Sequence, residues 1–187
     1  MNNNLFTRHR NADELQEGLS QILKSPKDAG TLKLIVARPK INQRQSLDMG
    51  RLDIEQGLIG DNWKTRDNHL GKAPNPDMQL NIMNSRCIAL LAENKDDWPM
   101  AGDQLFVDMD LSASNLPAGT RLSLGKAVIE VTAEPHLGCA KFSKRFGKAA
   151  TAFVNSKVGK ANSLRGICAK VVKSGDIQLG DLLTKLD

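Results

Sequence analysis

The chain has no tyrosine, two tryptophans and five phenylalanines. That is too few ring faces for the stacking platforms on which single strands are held, so nucleic acid is not expected as a partner. Three histidines exclude a multi-histidine metal centre. No GxxxxGK[ST] phosphate loop, no HExxH helix and no CxxC pair is present. The three cysteines, Cys87, Cys139 and Cys168, are odd in number and far apart, which excludes a disulfide framework. No apolar run approaches the roughly 20 residues of a membrane span, and no membrane partner is expected. Residues Met1 to Arg10 lack the apolar core of a secretory signal. A reducing, cytoplasmic location is the resulting expectation.

Acidic residues are absent from Pro135 to Gly175, a stretch that carries nine lysines and arginines. The whole chain has 26 basic and 21 acidic residues, so the remainder is net negative. A segment of one sign focuses potential and favours an anionic partner, a cofactor or a small substrate. The bland reading of scattered lysines is a solvated surface. At 187 residues, 40% hydrophobic and 25% charged, the chain reads as one globular domain with a modest extension.

The spacing of Leu15, Leu19, Ile22 and Leu23 predicts a helix over residues 12–24, opened by a capping box of Asn11 and Glu14. Residues 1–30 read as a helical appendage to a main domain at 31–187. From Thr31 short strands follow, at 32–38, 79–83 and 104–109. Arg121–Leu124 and Ala127–Thr132 form a predicted hairpin about Gly125-Lys126. Segments 164–172 and 176–183 suggest a second hairpin about Ser174-Gly175-Asp176. Helices are expected at 85–93 and 140–154, and an exposed loop at 71–77. Many short strands with little βα alternation point to a mainly β barrel or sandwich with helical insertions.

One run concentrates chemistry: Pro135-His136-Leu137-Gly138-Cys139-Ala140-Lys141-Phe142. Pro135 and Gly138 punctuate a turn, and a helix opens beside Cys139. Phe142 and Phe146 face the core together, Lys141, Lys144, Arg145 and Lys148 surround them, and Gly147 suits the helix exit. A thiol at the positive end of a helix, among cations, is biased towards thiolate. His136 is placed to hydrogen-bond the sulfur or move its proton. The bland alternative is a small buried hydrophobe, and that is the reading for Cys87 and Cys168. His69 reads as solvated, and Asp61 as the cap of a turn.

Several segments, taken in order, resemble the MOSC domain, named after the C-terminal domain of molybdenum cofactor sulfurase. They are Gly102-Asp103-Gln104-Leu105, Leu111-Ser112 with Asn115-Leu116-Pro117-Ala118-Gly119, and Leu124 to Thr132. The Pro135–Phe142 run, Arg165-Gly166-Ile167 with Val171-Val172, and Gly180-Asp181 complete the set. The resemblance implies a β-barrel of the pyruvate-kinase type with short helical insertions. It also implies one important cysteine, which maps onto Cys139. In such proteins that thiol is proposed to carry sulfur as a persulfide, or it ligates molybdenum of a pterin cofactor in reductases of N-hydroxylated compounds. On this reading Cys139 and His136 are the catalytic candidates, and Cys139 is the candidate molybdenum ligand. Lys141, Arg145, Arg165 and Asn115 are the candidates for holding an anionic cofactor. Expected partners are a cysteine desulfurase or an electron-donor protein. The 187 residues leave no room for a pyridoxal-phosphate sulfurase domain, so pyridoxal phosphate is not expected. A separate N-terminal barrel, which helps to bury the cofactor in the reductases, is not expected either. A different class of function is a non-catalytic anion or nucleic-acid binding module using the basic face.

Overall fold

The structure is a computed structural model, and it describes residues 8–65 and 73–186. His69, Gly71 and Lys72 fall outside the described residues. The chain opens with α1 (Ala12–Ile22), then β1 (Ala29–Ala37), β2 (Gln45–Leu47), β3 (Met49–Asp53) and β4 (Gly57–Leu58). A 3-10 turn at Pro76–Met78 precedes β5 (Leu80–Asn84) and α2 (Ser85–Leu91). A longer 3-10 segment, Lys95–Ala101, leads into β6 (Leu105–Asp108). The hairpin β7 (Arg121–Leu124) and β8 (Ala127–Val131) follows, then α3 (Ala140–Asn155) and α4 (Lys157–Ala161). The chain closes with β9 (Ile167–Lys173), β10 (Gly175–Gln178) and β11 (Leu182–Lys185).

Seven strands close on themselves in the order β1-β6-β5-β9-β8-β7-β11, with β11 pairing back to β1. Full closure leaves these strands no free edge. Their interior is apolar because each strand turns alternate residues inward. Ile82 and Leu80 come from β5, Leu105 and Val107 from β6, Ile129 and Val131 from β8, and Ile167, Ala169 and Val171 from β9. The residues between them face out. Phe106, Met83, Leu34 and Val36 form a second core under α1, α2 and α3. On β1 the parity changes at Lys33, where the register with β6 slips between Leu32 and Leu34. This bulge lets Leu32 and Ile35 face the barrel while Leu34 and Val36 face the helices.

The capping box of α1 is present: Asn11 Oδ1 accepts from Glu14 N–H and Glu14 accepts from Asn11 N–H. Its buried face is Leu15, Leu19 and Ile22, packed with Cys87, Ile88 and Phe146. The β7–β8 hairpin forms at the expected residues. The second expected hairpin does not form. At Gly175 the chain presses on the β7–β8 turn so closely that a Cβ would lie 2.3 Å from the Lys126 carbonyl carbon. The strand is turned away there, and β10 pairs with β3 in a three-stranded flap, β10-β3-β4. Gly180, at φ +90°, then separates β10 from β11. The flap strands β3 and β4, and the short β2, carry no strong alternating pattern and were not anticipated from the sequence. No helix among the described residues is long and apolar enough to cross a membrane.

One parallel pairing, β5 with β6, interrupts the antiparallel barrel. A parallel pair needs a crossover, and α2 with the 3-10 segment supplies it. The crossover ends in the turn Pro99–Gly102, which the site is built around.

Candidate functional site

Cys139 is the N-cap residue of α3 and is exposed. Helix α3 is folded sharply at Gly147, which has φ +92° and ψ +163°. That left-handed backbone is open to glycine and strained for other residues. So Gly147 ends one helical segment, as expected, and a second one starts straight after it. The fold-back returns Asn155 to the start of the helix, where it accepts from Gly138 N–H at 2.9 Å and donates to Gly138 C=O at 3.0 Å. The cysteine loop is thereby clamped at the residue before the sulfur. Phe142 and Phe146 are both buried, their ring centroids 4.9 Å apart.

Partial burial alone would raise the Cys139 thiol. The first-turn N–H groups of Phe142 and Lys141, the charge of Arg165 and the residue's own N–H outweigh it and hold the pKa below its ordinary value. No side-chain capping hydrogen bond is closed by the sulfur, so the stabilisation is that of nearby N–H dipoles favouring a thiolate. The other thiols differ. Burial pushes Cys87 up to about 12, among the apolar side chains of the outer core. Cys168 is pushed up to about 11 by burial and by the charge of Asp103.

Cys168 is buried, as the sequence suggested, but against polar neighbours. It faces out from β9 directly across from Asn81 on β5. The Asn81 amide donates to its sulfur at 3.4 Å, and His136 Nδ1 lies 3.8 Å away. Arg38 donates to Asn81 Oδ1, which turns the Asn81 NH₂ group towards His136 Nδ1 at 2.9 Å. Nδ1 therefore accepts, and the ring proton sits on Nε2. Nε2 lies 3.0 Å from Asp103 Oδ1, off the line of a closed hydrogen bond. The His136 ring nitrogens thus face Asp103, Asn81 and Cys168. Burial lowers the His136 pKa despite the Asp103 charge, so the ring is neutral at pH 7.

Asp103 is fully buried. Burial would raise its pKa, but Arg165 and His136 more than reverse this and hold it at about 2. Arg165 donates from Nη1 to both carboxylate oxygens, at 3.0 and 2.7 Å, and from Nη2 to Ala101 C=O. Its guanidinium stacks 4.8 Å from the Phe142 ring. Arg165, a candidate for holding an anionic cofactor, has its charge paired with Asp103. The pair is placed by Gly166, whose backbone at φ +116° passes so close to Ile82 C=O that a Cβ would lie 2.3 Å from the oxygen.

Asn115, another candidate for the anionic cofactor, is hydrogen-bonded on both its amide atoms. Its amide donates to Lys27 and Asp110 carbonyls and accepts from Lys185 Nζ at 2.6 Å. It is a structural clasp. Lys141 stands exposed in the first turn of α3. Arg145 is half-buried and donates to Met100 C=O at 2.7 Å. Asp61 caps the turn at Trp63 N–H, as expected, and also holds Arg38 in a bidentate pair at 2.7 and 2.9 Å. Arg38, Arg44, Asn81 and Asp103 were not singled out from the sequence. Only the Gly-Asp dipeptide at 102–103 hinted at one of them.

Behind the Pro135–Leu137 loop lies a cavity of about 350 Å³, lined by Ala118, Val131, His136, Leu137, Val154 and Arg165 among others. Among the described residues no group of three or more His, Cys, Asp and Glu is placed to hold a metal ion.

A family model described as the MOSC domain matches residues 75–184. No curated protein matches. Among solved structures, the fold is similar to YuaD from Bacillus subtilis, with a TM-score of 0.61 at 19% identity, covering 83% of this chain and 94% of that one. It is also similar to YiiM from Escherichia coli, with a TM-score of 0.54 at 21% identity, covering 84% and 70%. YiiM from Geobacillus stearothermophilus gives 0.52 at 14% identity, covering 84% and 75%. The matched segment contains β5 to β11, the clamped cysteine loop and the Asp103–Arg165 pair, and with it the chain belongs to the MOSC family.

Proposed function

We propose that this MOSC protein is a sulfur carrier in which the Cys139 thiolate accepts a sulfur atom and passes it on. The carrying observation is the contrast among its thiols: Cys139 alone is exposed with a lowered pKa, at a helix start clamped by Asn155. An exposed thiolate among cations is the form that reacts with oxidised sulfur. His136, neutral and fixed by Asn81 and Asp103, positions the loop that presents the thiol. A cysteine desulfurase is the expected donor. In the loading step Cys139 attacks the terminal sulfur of the desulfurase persulfide, and the desulfurase thiolate leaves. The test is intact mass after incubation with a desulfurase and cysteine. Wild type gains one sulfur atom and Cys139→Ser gains none. Equal loading of both proteins refutes the proposal.

A second reading, molybdenum cofactor binding, is favoured by the exposed Cys139 thiol, its pKa lowered, beside the half-buried Arg145. Cys139 would be the one protein ligand to the metal, and the arginines around Met100 would hold the cofactor's phosphate. The bound group would supply two-electron reduction of N-hydroxylated substrates, with electrons from a donor protein. Molybdenum and pterin co-purifying in equal amounts from a cofactor-competent host, and lost in Cys139→Ala, is its expected signature.

A further inference from the structure

Four consecutive carbonyls, those of Pro99, Met100, Ala101 and Gly102, each accept from a different arginine. Arg44 Nε donates to Pro99 at 3.2 Å, and Arg145 Nη1 to Met100 at 2.7 Å. Arg165 Nη2 donates to Ala101 at 3.0 Å, and Arg38 Nη1 to Gly102 at 2.8 Å. One short turn thus gathers four guanidinium groups. Two are neutralised, Arg38 by Asp61 and Arg165 by Asp103, both carboxylates fully buried.

Arg44 and Arg145 are different. Both are half-buried, and neither has a carboxylate partner among the described residues. Arg44 Nη2, and Nε and Nη2 of Arg145, donate to no group among the described residues, although Arg44 Nη1 bonds Gln43 C=O. Burial, then the charges of Arg145 and Arg38, lowers the Arg44 pKa to about 10. Burial also lowers that of Arg145, and the charge that opposes this is Cys139. Two half-buried cations of like sign, with donors unfilled, are unfavourable unless an anion joins them. Arg44 lies on the β1–β2 connection, outside the matched segment 75–184, so the family match does not assign it.

We infer that Arg44 and Arg145 form a binding site for a tetrahedral oxyanion beside Cys139, and that it receives the sulfonate of an S-sulfonate sulfur donor such as thiosulfate. This rests on the sulfur-carrier reading. The Cys139 thiolate attacks the outer sulfur of thiosulfate and forms a new S–S bond. The bond between the two thiosulfate sulfurs breaks, and its electron pair leaves with sulfite. Charge balances, with a thiolate and a dianion giving a persulfide anion and a dianion. No external oxidant or reductant is needed. The guanidinium groups hold the sulfonate in the reactant and the sulfite as it departs.

The test uses thiosulfate as the probe with the full chain, following sulfite release and the gain of one sulfur atom by mass. Arg44→Gln and Arg145→Gln are compared with wild type, and the uncharged alkylating agent iodoacetamide reports Cys139 nucleophilicity separately. The ratio of the thiosulfate rate to the iodoacetamide rate falls about tenfold or more in each variant, the size of one lost charge-assisted hydrogen bond. Inorganic phosphate or sulfate competes with thiosulfate in wild type and less in the variants. If a desulfurase loads Cys139 but thiosulfate does not, or if the ratio is unchanged in both variants, the oxyanion site is refuted and the carrier reading stands. If neither donor loads Cys139, the carrier reading falls and takes this inference with it.

Discussion

Cys139 and Cys168 both feel the charge of Arg165 and differ in almost every respect that governs a thiol. Cys168 sits on a barrel strand, buried, with Asp103 contributing a negative potential, and its pKa is pushed up to about 11. Cys139 sits at a helix start, exposed, with N–H groups and Arg165 contributing positive potential, and its pKa is lowered. Arg165 lowers both thiols, but at Cys168 deeper burial and the charge of Asp103 outweigh it. Reactivity follows from burial, from whether Asp103 opposes Arg165, and from which backbone dipoles a thiol meets.

Removing the Asp103–Arg165 pair is the harshest way to break the contrast. Asp103→Ala leaves Arg165 buried without its counter-charge, and unfolding free energy falls by about 3–5 kcal/mol in denaturant titration. Acid acts on the same group more gently. Its folded-state pKa, about 2, lies below the ordinary 3.8, so its stabilisation is fully present above pH 4 and is lost as pH falls from there through 2. The expected loss on this limb is about 2 kcal/mol, and it is missing in Asp103→Asn. Smaller still is the effect of Gly147→Ala, which forces a Cβ onto φ +92° against the His9 ring. It costs about 1–2 kcal/mol and slows alkylation of Cys139 while leaving Cys168 unchanged. Cys168→Ala sharpens the comparison: it changes stability by about 1 kcal/mol or less and leaves the Cys139 reaction rate unaltered.

The sequence carried local features well. The α1 capping box, the β7–β8 hairpin and the helix start at Cys139 depend on residues within a few positions of one another, and all three are present. What the sequence could not convey was set by contacts across the chain. Whether Arg165 is free or paired depends on Asp103, 62 positions away, and Arg38 depends on Asp61, 23 away. The fate of β10 turned on Gly175 meeting the backbone at Lys126, which no period-2 pattern encodes. Cys168 looked like core because its neighbours Ile167 and Ala169 are core, yet strand alternation turns it to the opposite face, under His136.

The most direct test of the central claim is a pH series of iodoacetamide labelling on the folded protein, read separately for Cys87, Cys139 and Cys168 by peptide mass spectrometry. The account predicts that Cys139 labels first, with a midpoint below that of an ordinary cysteine and a rate at pH 7 about 100-fold or more above either of the others. Cys168 labelling as fast as Cys139, or a Cys139 midpoint at or above the ordinary value, would contradict it.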